Sequence, residues 1–152
     1  MPVELSKTEV NAFLSQSLIA RIATVRPDGR PHVVPIWFIW DGASIYMETP
    51  PTFVKARNLM ANPNCSITID ITEGGLRFKA VVLEGKVEIL VDREYVLETV
   101  RKIYTKYLGQ EGILAPTPNR MINSEHIIIK LTPEHILTWD YTRDSAAPIA
   151  TL

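Results

Sequence analysis

Apolar and polar residues alternate along much of this chain, and helical spacing interrupts the alternation in a few places. Ile19, Arg21, Ala23 and Val25 fall on one side, and Ala20, Ile22 and Thr24 on the other. That period of two predicts a strand. Arg26-Pro27-Asp28-Gly29 follows, with Asp-Gly as a hairpin signal. Pro31 to Trp40 predicts a second strand, Asp41-Gly42 a tight turn, and Ser44 to Glu48 a third strand. Cys65 to Ile71 is β-branched and alternating, and Glu73-Gly74-Gly75 turns it. Leu76 to Leu90 is a long strand in which Gly85 marks a bulge or a sharp bend. Glu125 to Leu131 and Ile136 to Tyr141 are the last strands, separated by Thr132-Pro133, and residues 141–152 read as a tail.

The helical stretches are equally distinct. Ser6 and Glu9 have capping-box spacing, Leu5 and Val10 have hydrophobic-staple spacing, and Val10, Phe13, Leu14 and Leu18 repeat at helical intervals. Thr52 is placed to cap a second helix running to about Ala61, with Asn62-Pro63-Asn64 ending it. Asp92 caps a third, with Val96, Val100, Ile103, Tyr104 and Tyr107 on one side and Gly109 as its stop. Glu111 to Asn119, with Pro116 and Pro118, reads as a loop. Strands in hairpin order, joined by short Gly/Pro/Asp turns, predict a mostly β fold with flanking helices: an antiparallel barrel of six or seven strands. A doubly wound parallel sheet needs a helix after nearly every strand, and the first three strands lack one. At 152 residues the chain (1–152) fits a single domain.

Composition narrows the function classes. With 16 Lys and Arg against 17 Asp and Glu, the formal net charge is −1, so no basic excess points to nucleic acid or an anionic membrane. No apolar run approaches the roughly 18 residues of a membrane span, and no signal peptide is visible. Cys65 is the one cysteine, so an intrachain disulfide or a thiolate metal site is excluded, which fits a cytoplasmic setting. His32, His126 and His135 lack metal-ligand spacing and read as structural or surface residues; no metal is expected. No serine or cysteine catalytic pattern, dinucleotide fingerprint or phosphate loop is present.

The informative stretch is Pro35 to Pro63. Val33, Pro35, Trp37 and Ile39 would point one way, and Val34, Ile36, Phe38 and Trp40 the other, so this strand is apolar on both faces. A second subunit, a bound cofactor or the barrel's own helices would have to cover its outside. Pro35 lacks an N–H and interrupts the ladder, or else marks an edge strand. The following helix offers unpaired N–H groups at its start, and an anion is attracted there. Lys55 would stand near the third helical position, able to reach that anion. Arg57, two residues on, lies on roughly the opposite side. Arg77 and Lys79 share a strand face and would extend a basic groove from Lys55, or else are solvated. Trp139 is core, interface, or a lid over a bound ring.

These segments resemble the pyridoxamine 5′-phosphate oxidase-like split β-barrel flavoproteins, a group that includes the F420 (deazaflavin)-dependent reductases. The resemblance runs from about Leu14 to Asp140. It rests on Ala23 to Phe38 (ATVRPDGRPHVVPIWF), on Lys55-Ala56-Arg57-Asn58-Leu59 followed by Asn62-Pro63, and on Leu137-Thr138-Trp139-Asp140. It implies a homodimer with two cofactor sites at the subunit interface. The strand holding Val34, Pro35, Ile36 and Trp37 would line the ring, and Thr49 would lie near the ring and ribityl chain. Lys55 and Arg57 match the phosphate-binding positions, Thr52 is counted with the cofactor-binding residues, and Trp139 would come from the other subunit. Where the B6-phosphate oxidases have Ser-Arg-Lys, this chain has Phe53-Val54-Lys55. Their charged Arg-x-Val-Leu-Leu-Lys strand and their C-terminal substrate segment have no counterpart. The resemblance therefore implies an FMN-dependent oxidoreductase transferring hydride between the ring and an unidentified small substrate, and these departures count against B6-phosphate oxidation. The alternatives are an F420-dependent reductase or a non-catalytic FMN-binding or electron-carrier protein. No side chain is marked as an acid or base by any motif; Tyr46, Glu48 and Tyr141 are the candidates.

Overall fold

The computed structural model describes residues 3–74 and 77–143; Gly75, Leu76 and the tail beyond Arg143 lie outside the described residues. Its elements are α1 (Lys7–Leu14), β1 (Ala20–Val25), β2 (Pro31–Ile36), β3 (Ile39–Trp40), β4 (Ile45–Thr49), α2 (Val54–Ala61), β5 (Asn64–Thr72), β6 (Phe78–Leu90), α3 (Arg93–Gly112), α4 (Pro116–Ile122), β7 (Ile127–Leu131) and β8 (His135–Asp140). The strands make an antiparallel half-barrel in the order β2-β1-β5-β6-β7-β4-β3, with β8 also paired to β6. This is the helix-flanked antiparallel barrel expected from the alternation and turns, in the split form that the resemblance implies. All seven expected strands are present, and the second is divided into β2 and β3.

β6 is shared by the two halves of the barrel. Lys79 to Glu84 pair with β8, and Val87 to Leu90 pair with β7. Gly85 sits at the change of partner. A Cβ there would meet Leu131 Cδ1 at 3.1 Å and the Glu134 backbone nitrogen at 3.2 Å, so glycine lets the β7–β8 turn close against β6. The ladder to β5 runs on through Cys65↔Gly85, so the site is a bend and the pairing holds no bulge.

Two apolar layers result. Inside the barrel, Leu14, Ile22, Phe38, Ile45, Met47, Ile67, Ile69, Leu83 and Leu131 are fully buried. Outside it, Val96, Val100 and Tyr104 of α3 pack with Ile113, Ile122 and Ile128, and against Trp37 and Tyr46. Alternation along β4 serves both layers: Ile45, Met47 and Thr49 are buried, while Tyr46 and Glu48 face the outer layer.

Helix ends follow the chain's capping chemistry in part. The α1 capping box forms, with Ser6 and Glu9 each accepting the other's backbone N–H. Asp92 caps α3 by accepting from the Tyr95 N–H. At Gly109, φ is +77°, and the main run of α3 breaks there. Two expectations are corrected. Residues 116–122 form a helix where a loop was expected, because Pro116 occupies the first turn, where its missing N–H costs nothing. Thr52 does not cap α2: Pro50 to Thr52 turn first, with the Phe53 N–H donating to Pro50 O at 3.2 Å, and Phe53 becomes the N-cap residue.

Candidate functional site

α2 begins without side-chain help. Phe53 is 52% exposed, has no hydrogen-bonding side chain and makes no cap bond, so the first-turn N–H groups of Val54, Lys55 and Ala56 lack the oxygen that Ser6 supplies to α1. The helix is nevertheless rigidly placed. Ala56, Asn58 and Leu59 are buried, and Asn58 Nδ2 donates to Thr24 Oγ1 of β1 at 3.0 Å. Lys55 is half-buried, lies over the Phe53 ring at 4.8 Å and has no carboxylate within ion-pair distance among the described residues. Burial lowers its pKa, and the Glu48 charge partly offsets that. Arg57 is exposed.

β2 is an edge strand. Its ladder to β1 runs unbroken through Arg21↔Pro35 and Ala20↔Ile36, so Pro35 does not interrupt it. The break falls at Trp37-Phe38, and α3 closes it. The Phe38 N–H donates to Tyr107 Oη at 3.2 Å, and Lys106 Nζ donates to Phe38 O at 3.0 Å and to Leu14 O at 3.3 Å. Trp37 stacks on Tyr107, with centroids 4.6 Å apart, and meets Tyr104 edge-on. Lys106 lies 3.8 Å over the Phe38 ring, and burial pulls its pKa down to about 8. The chain's own helix thus covers the Trp37 end of the strand's outer face. Val33, 59% exposed, and Pro35 remain open.

An ion pair joins β4 to the residue just before β7. His126 Nε2 is 3.1 Å from Glu48 Oε2, with the side chains only 4% and 15% exposed, and His126 Nδ1 is 2.9 Å from Ser124 O. Burial works against charge on this imidazole, but the bond and charge of Glu48 and the Ser124 carbonyl outweigh it and raise its pKa. Burial and the Glu48 charge push the Tyr104 phenol up to about 12. His126 also lines a cavity of about 660 Å³ walled by Pro51, Met60, Val91, Val96 and Ile122.

A profile of the pyridoxamine 5′-phosphate oxidase family matches residues 6–140. The chain belongs to that family. Among solved structures, a conserved hypothetical protein of Mycobacterium tuberculosis, Rv2991, is 25% identical with a TM-score of 0.84, over 99% of this chain and 93% of that one. A protein named F420 reductase is 27% identical, TM-score 0.67, over 84% and 94%. An FAD-binding protein from Mesorhizobium loti shares the fold at 22% identity, TM-score 0.66, over 91% and 96%.

In this pyridoxamine 5′-phosphate oxidase family chain, the residues expected to form the site fall into three groups. Thr49, Thr52 and Lys55 lie together on the path from β4 into α2: Thr49 is fully buried and Thr52 exposed. Val34 and Ile36 turn into the barrel core, leaving backbone and Pro35 at the outer edge. Trp139 on β8, opposite Ala80 of β6, lines a separate cavity of about 630 Å³ with Leu5, Val10, Asn11, Trp40 and Leu137, and neither Lys55 nor Pro35 is in its walls. Arg77 pairs with Glu73 at 3.2 Å and Lys79 with Asp140 at 3.7 Å. They sit roughly 20 Å along β6 from the end where α2 docks. They do not extend a basic surface from Lys55. Tyr46 Oη donates to Asp41 at 2.8 Å, and Tyr141 stacks on Phe78. Sequence reasoning did not connect Glu48 with His126. They are 78 positions apart, and only the Glu48↔Ile128 register brings them together.

Proposed function

We propose that this chain is an oxidoreductase that binds FMN at the seam of a homodimer and transfers hydride between the flavin ring and a small substrate. The observation that carries this reading is the start of α2: a well-anchored helix with no side-chain cap, a cation without a carboxylate partner among the described residues, and an exposed apolar edge strand nearby in the fold. Unpaired first-turn N–H groups, the helix dipole and Lys55 suit a phosphate. Val33 and Pro35 offer apolar surface with free backbone at a sheet edge, which suits the rim of a flat ring. The flavin, when bound, supplies the two-electron chemistry. The protein's residues hold it: Lys55 and the α2 backbone take the tail, Thr49 stands beside it, and the β2 edge excludes water from one side. A second copy would close the other side and bring its Trp139 over the site, and the exposed Val33 and Phe53 support that assembly.

A second reading, an F420-dependent reductase, is favoured by the 27% identical protein of that name. Against it stands the short reach of the basic surface, since Arg77 and Lys79 are already paired. Titration with FMN, riboflavin and F420, with the absorption spectrum and mass of any copurifying molecule, separates the readings. FMN bound more tightly than riboflavin supports the first, and F420 bound more tightly than FMN supports the second. Colourless protein that binds neither sinks both. FMN binding without turnover by any reductant or acceptor leaves a flavin carrier.

A further inference from the structure

We infer that Lys106 and Tyr107 are positioning residues: together they clasp the open seam of the barrel and set where the β2 edge and Trp37 stand. β2 and β3 are the two ends of the strand order, and no pairing joins them. The chain crosses from one end to the other in two residues, Trp37 and Phe38. Phe38 is fully buried, so its backbone groups need partners, and neither the β1–β2 ladder nor the β3–β4 ladder reaches them.

Two side chains of α3 supply those partners. The Phe38 N–H donates to Tyr107 Oη at 3.2 Å, and Phe38 O accepts from Lys106 Nζ at 3.0 Å. The same two side chains also hold the connection between α1 and β1. Lys106 Nζ donates to Leu14 O at 3.3 Å, and Tyr107 Oη donates to Leu18 O. Ser17 Oγ returns a bond to Lys106 O at 3.0 Å. Trp37 lies flat on Tyr107, 4° from parallel, and meets Tyr104 edge-on at 5.3 Å. Three segments far apart in the chain are thus fixed to one another at the seam, and the two-residue link is held by its backbone as a ladder would hold it. The consequence for ligand binding rests on the reading above, in which the β2 edge and Trp37 line the flavin ring. The clasp then governs the ring side of the site, whereas Lys55 governs the tail.

Tyr107→Phe keeps the stack on Trp37 and removes the hydroxyl. Lys106→Met keeps an apolar side chain over the Phe38 ring and removes the ammonium. Hydrogen exchange of the unliganded protein reads the clasp directly. In both variants the Phe38 amide should exchange about tenfold faster or more, while the amides of β4 and β7 keep their rates. In the flavin-loaded protein both variants should weaken FMN and riboflavin alike, by about fivefold to tenfold. They should also shift the absorption band of the bound ring, a signature that lost stability alone does not produce. A Phe38 amide indifferent to both changes, or one that speeds up only together with β4 and β7, would overturn the clasp. Flavin affinity and spectrum unchanged in both variants, or a loss confined to FMN, would overturn its role in positioning the ring. If the unmodified protein binds no flavin or F420, the cofactor reading fails, and the exchange rates alone decide the clasp.

Discussion

α1 and α2 are both eight residues long, and they begin in opposite ways. α1 is completed by its own sequence. Ser6 and Glu9 satisfy each other's backbone, Leu5 and Val10 flank the cap, and Asn11 accepts from Trp40 Nε1 at 2.8 Å. Arg143 adds a bond to Glu9 at 2.8 Å. α2 has an apolar residue at its N-cap, no acidic side chain in its first turn, and two basic ones that pair with nothing among the described residues. Its buried face is as well fixed as that of α1, through Ala56, Asn58 and Leu59. The difference lies only in what each helix presents at its start. A helix anchored behind and left open in front suits the proposed anion site.

The largest expected effect tests the completed helix. Leu14→Ala removes a fully buried side chain and should cost about 2–5 kcal/mol in denaturant unfolding. It should change FMN and riboflavin binding alike; a phosphate-selective effect would merge the two regions that α1 and α2 keep apart. Next comes Lys55→Ala. FMN binding should weaken about tenfold to a hundredfold, riboflavin binding should barely change, and stability should move by less than about 0.5 kcal/mol. Equal losses for both ligands would count against the anion site.

A pair of cap exchanges then inverts the contrast. Ser6→Ala should destabilise by about 1 kcal/mol without touching ligand binding. Phe53→Asp should stabilise by up to about 1 kcal/mol, because a carboxylate then caps α2, and the same change should weaken FMN by filling and repelling from the phosphate position. A Phe53→Asp variant that gains stability and still binds FMN normally would show that the open cap is not used.

The smallest effect concerns pH. The folded-state pKa of His126 lies above the ordinary value of 6.5, so its pairing with Glu48 stabilises the fold fully below that value, and the contribution is lost as pH rises through the folded pKa. Unfolding of the unmodified protein and of His126→Gln should therefore converge as pH rises through that raised pKa. A gap that widens instead would mean that His126 is neutral in the fold.

Much of the architecture was legible because it follows from local rules. Period-two alternation marked Ile19 to Val25 and Cys65 to Ile71, tight turns set off the other strands, and Ser6, Asp92 and Gly109 marked helix ends by capping or left-handed backbone chemistry. Local rules failed where a tertiary contact outweighs them. The run Pro31 to Trp40 is continuous in pattern, yet it breaks at Trp37-Phe38 because Tyr107 and Lys106 take the backbone groups that a ladder would otherwise use. Pro116 and Pro118 looked like loop residues, although proline in a first turn is a helix start.

The candidate site divides along the same line. The sequence by itself determined the alternating strands, the apolar edge strand, the cations of α2 and the family match, since each lies within a span that one strand or one helix turn reads. Only the tertiary structure decided which of the candidate site cations meet a carboxylate among the described residues. Arg77 and Lys79 meet carboxylates, the latter across a long stretch of chain, while Lys55 meets none among the described residues, and Glu48 meets His126 through the β4–β7 register. The physical reason is range. Hydrophobic periodicity and capping act between near neighbours in the chain, whereas charge pairing and burial depend on which distant residues the folded barrel brings within a few ångströms.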